Sequence, residues 1–152
     1  MGAGVVDSNG DGLGLAYSGA LVPRRRDPIS VRLHYLYTQL SEVIQQWRPS
    51  EVAIEEPFIG RNVRSSVAIG QAQAVALVAA AHYGLPVSNY APRRVKQAVT
   101  DYGDSSKEQV EEMVKALLGV DDIPGSPDAS DALAVAICHI NTSVLRGLVI
   151  RN

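Results

Sequence analysis

A carboxylate lies near the end of a short apolar run that proline stops. Val and Ile favour an extended backbone, and Pro57 cannot donate to a sheet ladder, so residues 52–56 are predicted as a buried strand that ends near Glu56. Ligands collect at the carboxyl ends of strands in α/β sheets. Because side chains alternate along a strand, Glu55 and Glu56 face opposite ways, and only one of them can serve a given site. Glu55 is therefore a candidate ligand that needs partners elsewhere.

Two further acids stand at the start of a helix. Ser126 and Pro127 form a capping serine and a proline at the first helical position, and Asp128 and Asp131 follow. Residues three apart project from one face of a helix, so the two carboxylates can share a cation. Acids in a first turn also occur for helix-dipole reasons alone. The rest of this helix is apolar and must be buried, which favours a functional pair.

Glu55, Asp128 and Asp131 together supply oxygen ligands with no His or Cys cluster beside them. Such ligands suit hard cations, Mg²⁺ or Mn²⁺. Cations are bunched in loops: they are Arg24 to Arg26, Arg61 with Arg64, and Arg93, Arg94 and Lys96. Carboxylate-held metal ions beside basic loops indicate phosphodiester hydrolysis and a surface for a polyanion, although the net charge is −2.

The elements that must position these residues follow from periodicity and turn signals. We predict a hairpin with strands near residues 4–7 and 13–17, helices over about 28–48, 65–83, 92–99, 106–118 and from 126 onward, and strands over 51–56 and 86–90. Strands that alternate with helices indicate an α/β fold. The alanine-rich face of the second helix is expected to pack in the core, with a dimer seam as the alternative.

Length and composition indicate one domain, residues 1–152. With 152 residues and 46% hydrophobic content the chain can bury a sufficient core without disulfides. The lone Cys138 is expected to be a buried, inert thiol. No apolar run approaches the length of a membrane span and no signal pattern opens the chain, so we expect no membrane partner and a cytoplasmic location.

Several segments resemble the RuvC-type Holliday-junction resolvases. These segments are residues 53–58, residues 68–74, Tyr90-Ala91-Pro92, residues 95–99, residues 107–110 and residues 128–134. The resemblance covers nearly the whole chain in the family's order. It implies an RNase H-like α/β fold with a central mixed sheet flanked by helices. It also implies a homodimer that makes paired symmetric nicks in four-way DNA junctions with two Mg²⁺ ions per subunit, and that cooperates with a branch-migration motor.

The resemblance assigns roles to particular residues. Glu55, Asp128 and Asp131 match three of the family's four catalytic acids, and Lys96 and Lys107 match basic residues near the scissile phosphates. Phe58 matches an aromatic residue near the junction's unpaired bases, where it can stack, although a core position is the alternative. With the loop cations, the expected DNA-binding residues are Phe58, Arg61, Arg64, Arg93, Arg94, Lys96 and Lys107.

One family segment has no counterpart in this sequence. The family begins with a strand carrying Gly-Ile-Asp-Pro-Gly, whose aspartate is the fourth ligand, whereas residues 1–6 resemble the segment that follows it. We expect that Asp7 does not substitute, because too few residues follow it for the two strands of an RNase H-like meander, and we place it in the hairpin turn. Three alternatives remain: an endonuclease shortened by start-site choice, a short form that binds junctions without cutting them, and an RNase H-like nuclease that acts on RNA.

Overall fold

The computed structural model describes residues 1–10, 12–57 and 63–150, with the backbone alone for 63–64 and 144–150. Its elements in chain order are β1 Gly2–Asn9, β2 Gly12–Ala20, α1 Ile29–Trp47, β3 Val52–Glu55, α2 Val63–His82, β4 Val87–Tyr90, α3 Pro92–Thr100, α4 Lys107–Leu118 and α5 Pro127–Ile150. Every predicted helix and strand is present, and the ends agree to within a few residues. The predicted α/β class is confirmed.

The hairpin is longer than its sequence pattern indicated. β1 pairs antiparallel with β2 from Gly2 opposite Ala20 to Asn9 opposite Gly12, with a register irregularity between Val5 and Val6. Asp7 is exposed and lies on β1 opposite Gly14, so its predicted place in the turn is wrong. Pairing continues past Asp7 to Asn9 opposite Gly12, and Gly12 has φ +139°, a conformation that favours glycine.

The strands form two separate sheets in the described part of the chain. β3 pairs parallel with β4, and Glu55 lies opposite Tyr90 at the carboxyl end of the pair. The helix α2 makes the crossover that a parallel pair requires. β1 and β2 form the other two-stranded sheet. The described strands therefore do not join in the one central mixed sheet that was predicted.

The helix α5 packs against both sheets. Its residues Leu133, Ile137 and Cys138 are fully buried in a cluster that includes side chains from β4, α3 and α4. Burial raises the pKa of the Cys138 thiol, which fits the predicted buried and inert cysteine. On the other side, a methyl group at Gly2 would overlap the backbone of Asp128, and one at Gly4 would lie 2.7 Å from Leu133 Cδ2. β1 therefore approaches the start of α5 closely because it carries glycines there.

The helices α1 and α2 cover the hairpin from the other direction. Leu36 of α1 forms a second cluster with Ala3 and Leu21, against which Ala72 and Val75 of α2 pack. Ala79 and Ala80 are also buried, which confirms core packing for part of the alanine-rich face. None of the helices in the described ranges combines the length and the apolarity that a membrane crossing needs.

Candidate active site

Glu55 is delivered to the carboxyl end of the parallel strand pair. Glu56 N–H donates to the carbonyl oxygen of Tyr90 at 2.8 Å, which anchors β3 to β4 immediately beyond Glu55. Burial of the carboxyl group, and then the negative charge of Asp131, raise the pKa of Glu55, while Lys107 and Lys96 act in the opposite direction. Glu55 therefore lies within electrostatic range of the start of α5, as the predicted site requires.

The acids at the start of α5 lie on its solvent side. Ala129 and Ser130 are buried, whereas the side chains of Asp128 and Asp131 are 61% and 45% exposed, so the two carboxylates share the accessible face of the first turns. Each is close to a cation. The amino group of Met1 lies 3.8 Å from Asp128 Oδ2, and Lys107 Nζ lies 3.2 Å from Asp131 Oδ2.

Lys107 connects the three candidate acids electrostatically. It is the first residue of α4, after a capping box in which Ser106 Oγ accepts from Gln109 N–H and the Gln109 side chain accepts from Ser106 N–H. The hydrogen bond to Asp131 and the charge of Asp131 raise the pKa of Lys107, and the charges of Asp128 and Glu55 act in the same direction. A single ammonium group therefore lies in the field of all three carboxylates.

The chemistry of these donors fits a hard cation. Glu55, Asp128 and Asp131 offer carboxylate oxygens, the ligands that Mg²⁺ and Mn²⁺ prefer. Their positions fit less closely, since no three His, Cys, Asp or Glu side chains within the described ranges lie near enough together to hold one metal ion. The Asp131 carboxylate is paired with Lys107, whose ammonium group neutralises negative charge that a metal ion would otherwise neutralise.

The predicted DNA-binding residues differ in how freely their charges face solvent. Arg93 is highly exposed and has only a long contact, 3.9 Å, with Asp104. Arg94 donates to Thr142 Oγ1 on α5 at 3.5 Å, and Lys96 donates to the Ser105 carbonyl oxygen at 2.7 Å. Phe58 and Arg61 lie outside the described residues, as does the side chain of Arg64 in α2.

Sequence reasoning missed a polar group that ties α5 to the parallel strands. His139 of α5 is bonded to Glu51 through Nε2 and to Tyr90 through Nδ1, both at 2.8 Å. The local signal was a histidine directly after the apolar run at residues 132–138 of α5. The partners are 88 and 49 residues away in sequence, so periodicity could not connect them.

Comparison with known proteins identifies the family. The family profile described as "Crossover junction endodeoxyribonuclease RuvC" matches residues 1–139. A protein of that name from Dehalococcoides mccartyi is 49% identical over 139 residues, which are 91% of this chain and 83% of that protein. Its counterpart from Geobacter sulfurreducens is 43% identical over 148 residues, 97% of this chain and 90% of that protein.

Solved structures show the same fold. Thermus thermophilus RuvC superposes with a TM-score of 0.83 at 32% identity, covering 95% of this chain and 87% of that one. The same organism's RuvC in complex with Holliday junction substrate gives 0.86 at 33% identity, covering 92% and 86%. The RNase H-like fold is thereby confirmed, and the named relatives are nucleases that hydrolyse phosphodiester bonds of DNA. This chain belongs to the RuvC family of crossover junction endodeoxyribonucleases.

Proposed function

We propose that this protein resolves four-way DNA junctions by paired symmetric nicks, in homologous recombination and DNA repair. The observation that carries the proposal is the 3.2 Å ion pair between Asp131 and Lys107, whose charges act on Glu55 at the carboxyl end of the parallel strands. A related RuvC has been solved in complex with Holliday junction substrate, which supports the same substrate here. The coupled acids supply a site for phosphodiester hydrolysis, and the nearby lysines supply charge for the backbone of the junction.

Each acidic residue has a proposed task. Glu55, Asp128 and Asp131 would hold two Mg²⁺ ions per subunit, or Mn²⁺ in their place. A metal ion held there would stabilise negative charge on the scissile phosphate and lower the pKa of the attacking water. Lys107 orients the Asp131 carboxylate through their hydrogen bond at 3.2 Å and neutralises part of the acidic cluster. Phosphate can then approach a site that three carboxylates would otherwise repel.

The remaining predicted residues would bind the junction, with Lys96, whose charge acts on Glu55, near the cleaved bond. Arg93 is well placed to contact a phosphate because its side chain is mostly in solvent. Arg94 donates to Thr142 of α5, and Lys96 donates to the carbonyl oxygen of Ser105, two residues before α4. Phe58, Arg61 and Arg64 complete the proposed DNA surface, with Phe58 stacking on an unpaired base.

We propose that the protein acts as a homodimer, because paired nicks at symmetric positions need two sites. An apolar stripe on the outer face of α2 supports this assembly: Val67 is 53% exposed and Val78 is 59% exposed. The proposed setting is the cytoplasm, where bacteria such as those of the relatives keep their chromosome, in cooperation with a branch-migration motor.

The test compares two neighbouring glutamates. Four proteins are each incubated in Mg²⁺ with a labelled four-way junction and with a linear duplex. They are the unsubstituted parent and its variants Glu55→Gln, Asp128→Asn and Glu56→Gln. Glu55→Gln and Asp128→Asn are expected to lose cleavage while junction affinity changes only a few-fold, because phosphate contacts elsewhere supply the affinity. Glu56→Gln is the matched control and should cut like the parent, since Glu56 alternates to the other face of the strand.

A junction-binding protein that does not cut is the second candidate. The ion pair of Asp131 with Lys107 favours it, because this pair already neutralises charge that a metal ion would share. Junction-selective binding without nicking by the parent would establish this candidate. Equal affinity for the linear duplex, or cleavage of RNA instead of the junction, would contradict both.

A further inference from the structure

A histidine links three elements away from the candidate ligands. His139 Nε2 lies 2.8 Å from Glu51 Oε2, immediately before β3, and His139 Nδ1 lies 2.8 Å from Tyr90 Oη, at the end of β4. The His139 side chain is 12% exposed and Tyr90 is 5% exposed. Polar groups that are this well shielded destabilise the fold when they are left unpaired. These contacts therefore constrain how α5 sits on the strand pair.

The neutral imidazole satisfies all three side chains in a single tautomer. The Glu51 carboxylate can only accept, so His139 Nε2 carries a proton and donates it. In the neutral imidazole Nδ1 is then an acceptor, and the Tyr90 hydroxyl donates to it. Tyr90 thereby keeps an acceptor although it is buried. The order of donation is Tyr90 to His139 to Glu51, with no donor or acceptor left over at the imidazole.

The placement of His139 relates it to the candidate site. Asp131 interacts electrostatically with Glu55 at one end of β3, and His139 bonds Glu51 at the other end. Eight helical residues separate Asp131 from His139, or about 12 Å, and four extended residues separate Glu55 from Glu51, or about 13 Å. α5 and β3 therefore run side by side in opposite directions with matched spacing. Tyr90 adds a third contact, because it lies opposite Glu55 in the sheet register.

We propose that His139 is a positioning residue for the candidate active site. By bonding Glu51 and Tyr90 at once it fixes the register of β3 and β4 against α5, and so sets where the Glu55 carboxylate lies relative to Asp131. A slip of one strand residue, about 3.3 Å, would break the contact with Glu51. The cleavage readout of this inference rests on the proposed function, whereas its structural readout does not.

The experiment separates positioning from general stability. Glu51→Leu removes the acceptor of the His139 hydrogen bond, whereas Glu51→Gln keeps an acceptor without the charge. His139→Phe removes the contacts with both Glu51 and Tyr90. Tyr90→Phe removes only the hydroxyl oxygen and leaves the shape of the side chain unchanged. Cleavage of saturating junction in Mg²⁺ is expected to fall about 10- to 100-fold in His139→Phe and Glu51→Leu, with junction Kd nearly unchanged, because small displacements of catalytic groups lower rates by such factors. Glu51→Gln should restore most of the rate.

A second readout does not depend on activity. Amide hydrogen exchange at residues 52–56 should accelerate in His139→Phe, Glu51→Leu and Tyr90→Phe, and stay near the parent's in Glu51→Gln. The matched control is Tyr83→Phe, which deletes a phenol hydroxyl bonded to Gln45 at 2.6 Å between α1 and the residue after α2. It should leave exchange at residues 52–56 and cleavage unchanged.

The outcomes are distinguishable. Exchange at residues 52–56 that is unaltered in His139→Phe and Tyr90→Phe, or that rises equally over the whole chain, overturns the positioning role. Failure of Glu51→Gln to rescue overturns it as well, because the contact would then serve through its charge. A parent that does not cut junctions contradicts the proposed function alone, and the exchange result still decides the role of His139.

Discussion

Glu55 occupies a position that opposes its own ionisation. Burial of its carboxyl group and the charge of Asp131 raise the pKa of Glu55 above the ordinary value of 4.5. A carboxyl group with a raised folded-state pKa binds its proton more tightly in the folded than in the unfolded chain. The stability that the Glu55 carboxyl group contributes is therefore present at low pH. It is lost as the pH rises from the pKa of this group in the unfolded chain to its pKa in the folded chain. At neutral pH, ionised Glu55 therefore destabilises the fold when no cation is bound beside it.

Substitution of Glu55 tests whether its ionised carboxylate lowers the free energy of unfolding. We predict that Glu55→Gln raises the free energy of unfolding at pH 7 by a modest amount, because the neutral amide removes the unfavourable ionised state. At about pH 4, below the ordinary Glu value of 4.5, the gain should nearly vanish, since the parent is then largely protonated as well. Urea unfolding at both pH values, in low and high salt, is the measurement, and salt should reduce the part that comes from Asp131.

Glu56→Gln controls for the loss of one negative charge from a chain of net charge −2. A loss of stability in Glu55→Gln at pH 7, or a gain that is equal at both pH values, would contradict the assigned cause. Activity should change in the opposite direction from stability, because the carboxylate that destabilises the fold is the one proposed to hold metal.

Residue types and spacing predicted the candidate acids but not their partners. Glu55 and the pair Asp128 and Asp131 stood out because carboxylates at a strand end and at a helix start are local features. The ion pair between Lys107 and Asp131 depends on how α4 packs beside α5, 24 residues apart in sequence. His139 was invisible for the same reason. Long-range polar contacts leave no period in the sequence.

At the scale of elements, the start of α5 is positioned by β1. Gly2 and Gly4 let the strand approach so closely that a side chain on Gly2 would overlap the carbonyl of Asp128. We predict that Gly2→Ala destabilises the fold by about 1–3 kcal/mol, typical of overpacking, and lowers cleavage because Asp128 must move. Thermal unfolding and junction cleavage measure the two effects.

Gly14→Ala is the matched control for that substitution. Gly14 lies in β2 of the same hairpin, and a methyl group there meets nothing within 4 Å. It should be neutral or slightly stabilising, because alanine loses less backbone entropy than glycine. Equal stability of the two variants would show that the close approach of β1 to α5 is unimportant.

The outer face of α2 carries the prediction about assembly. Val78 is 59% exposed beside other exposed apolar residues of the helix, including Val67 and Leu77. We predict that Val78→Glu shifts a dimer to monomer in analytical ultracentrifugation, because a charge would be buried in the apolar contact. Gln46→Glu on the exposed surface of α1 adds the same charge and should leave the association unchanged. A parent that is monomeric at every concentration would contradict the proposal.

Local pattern predicted the elements well and their pairing less well. α1 and α4 follow apolar positions at helical spacing, and the capping box at Ser106 marks the start of α4. The separation of the strands into two sheets was not predicted, since each strand's own sequence says little about its neighbour. How α5 packs against the two sheets depends on glycines of β1 and on side chains of β4, which are far apart in the chain.

For the whole molecule, the distribution of charge matters more than its sum. The chain has 14 Lys and Arg against 16 Asp and Glu. Some cations are neutralised internally: Lys115 has a side chain only 19% exposed and pairs with Glu111 and Glu112. Lys107, by contrast, has a side chain that is 73% exposed and lies beside Asp131 at the candidate active site. Binding of a polyanion by an acidic protein depends on cations that are exposed to solvent, as Lys107 is.

The salt dependence of junction binding tests this distinction. We predict that Lys107→Ala and Lys96→Ala each weaken junction affinity and reduce the slope of log K against log salt by about 0.9, the contribution of one phosphate contact on duplex DNA. Lys115→Ala removes the same charge from the same helix, eight residues after Lys107, and should leave the slope unchanged because Lys115 is held by its glutamates. Equal slopes for the parent and the Lys107 and Lys96 variants would mean that these lysines serve the fold and that the junction is held by other cations. A reduced slope in all three variants would mean that net charge, and not a defined surface, governs association.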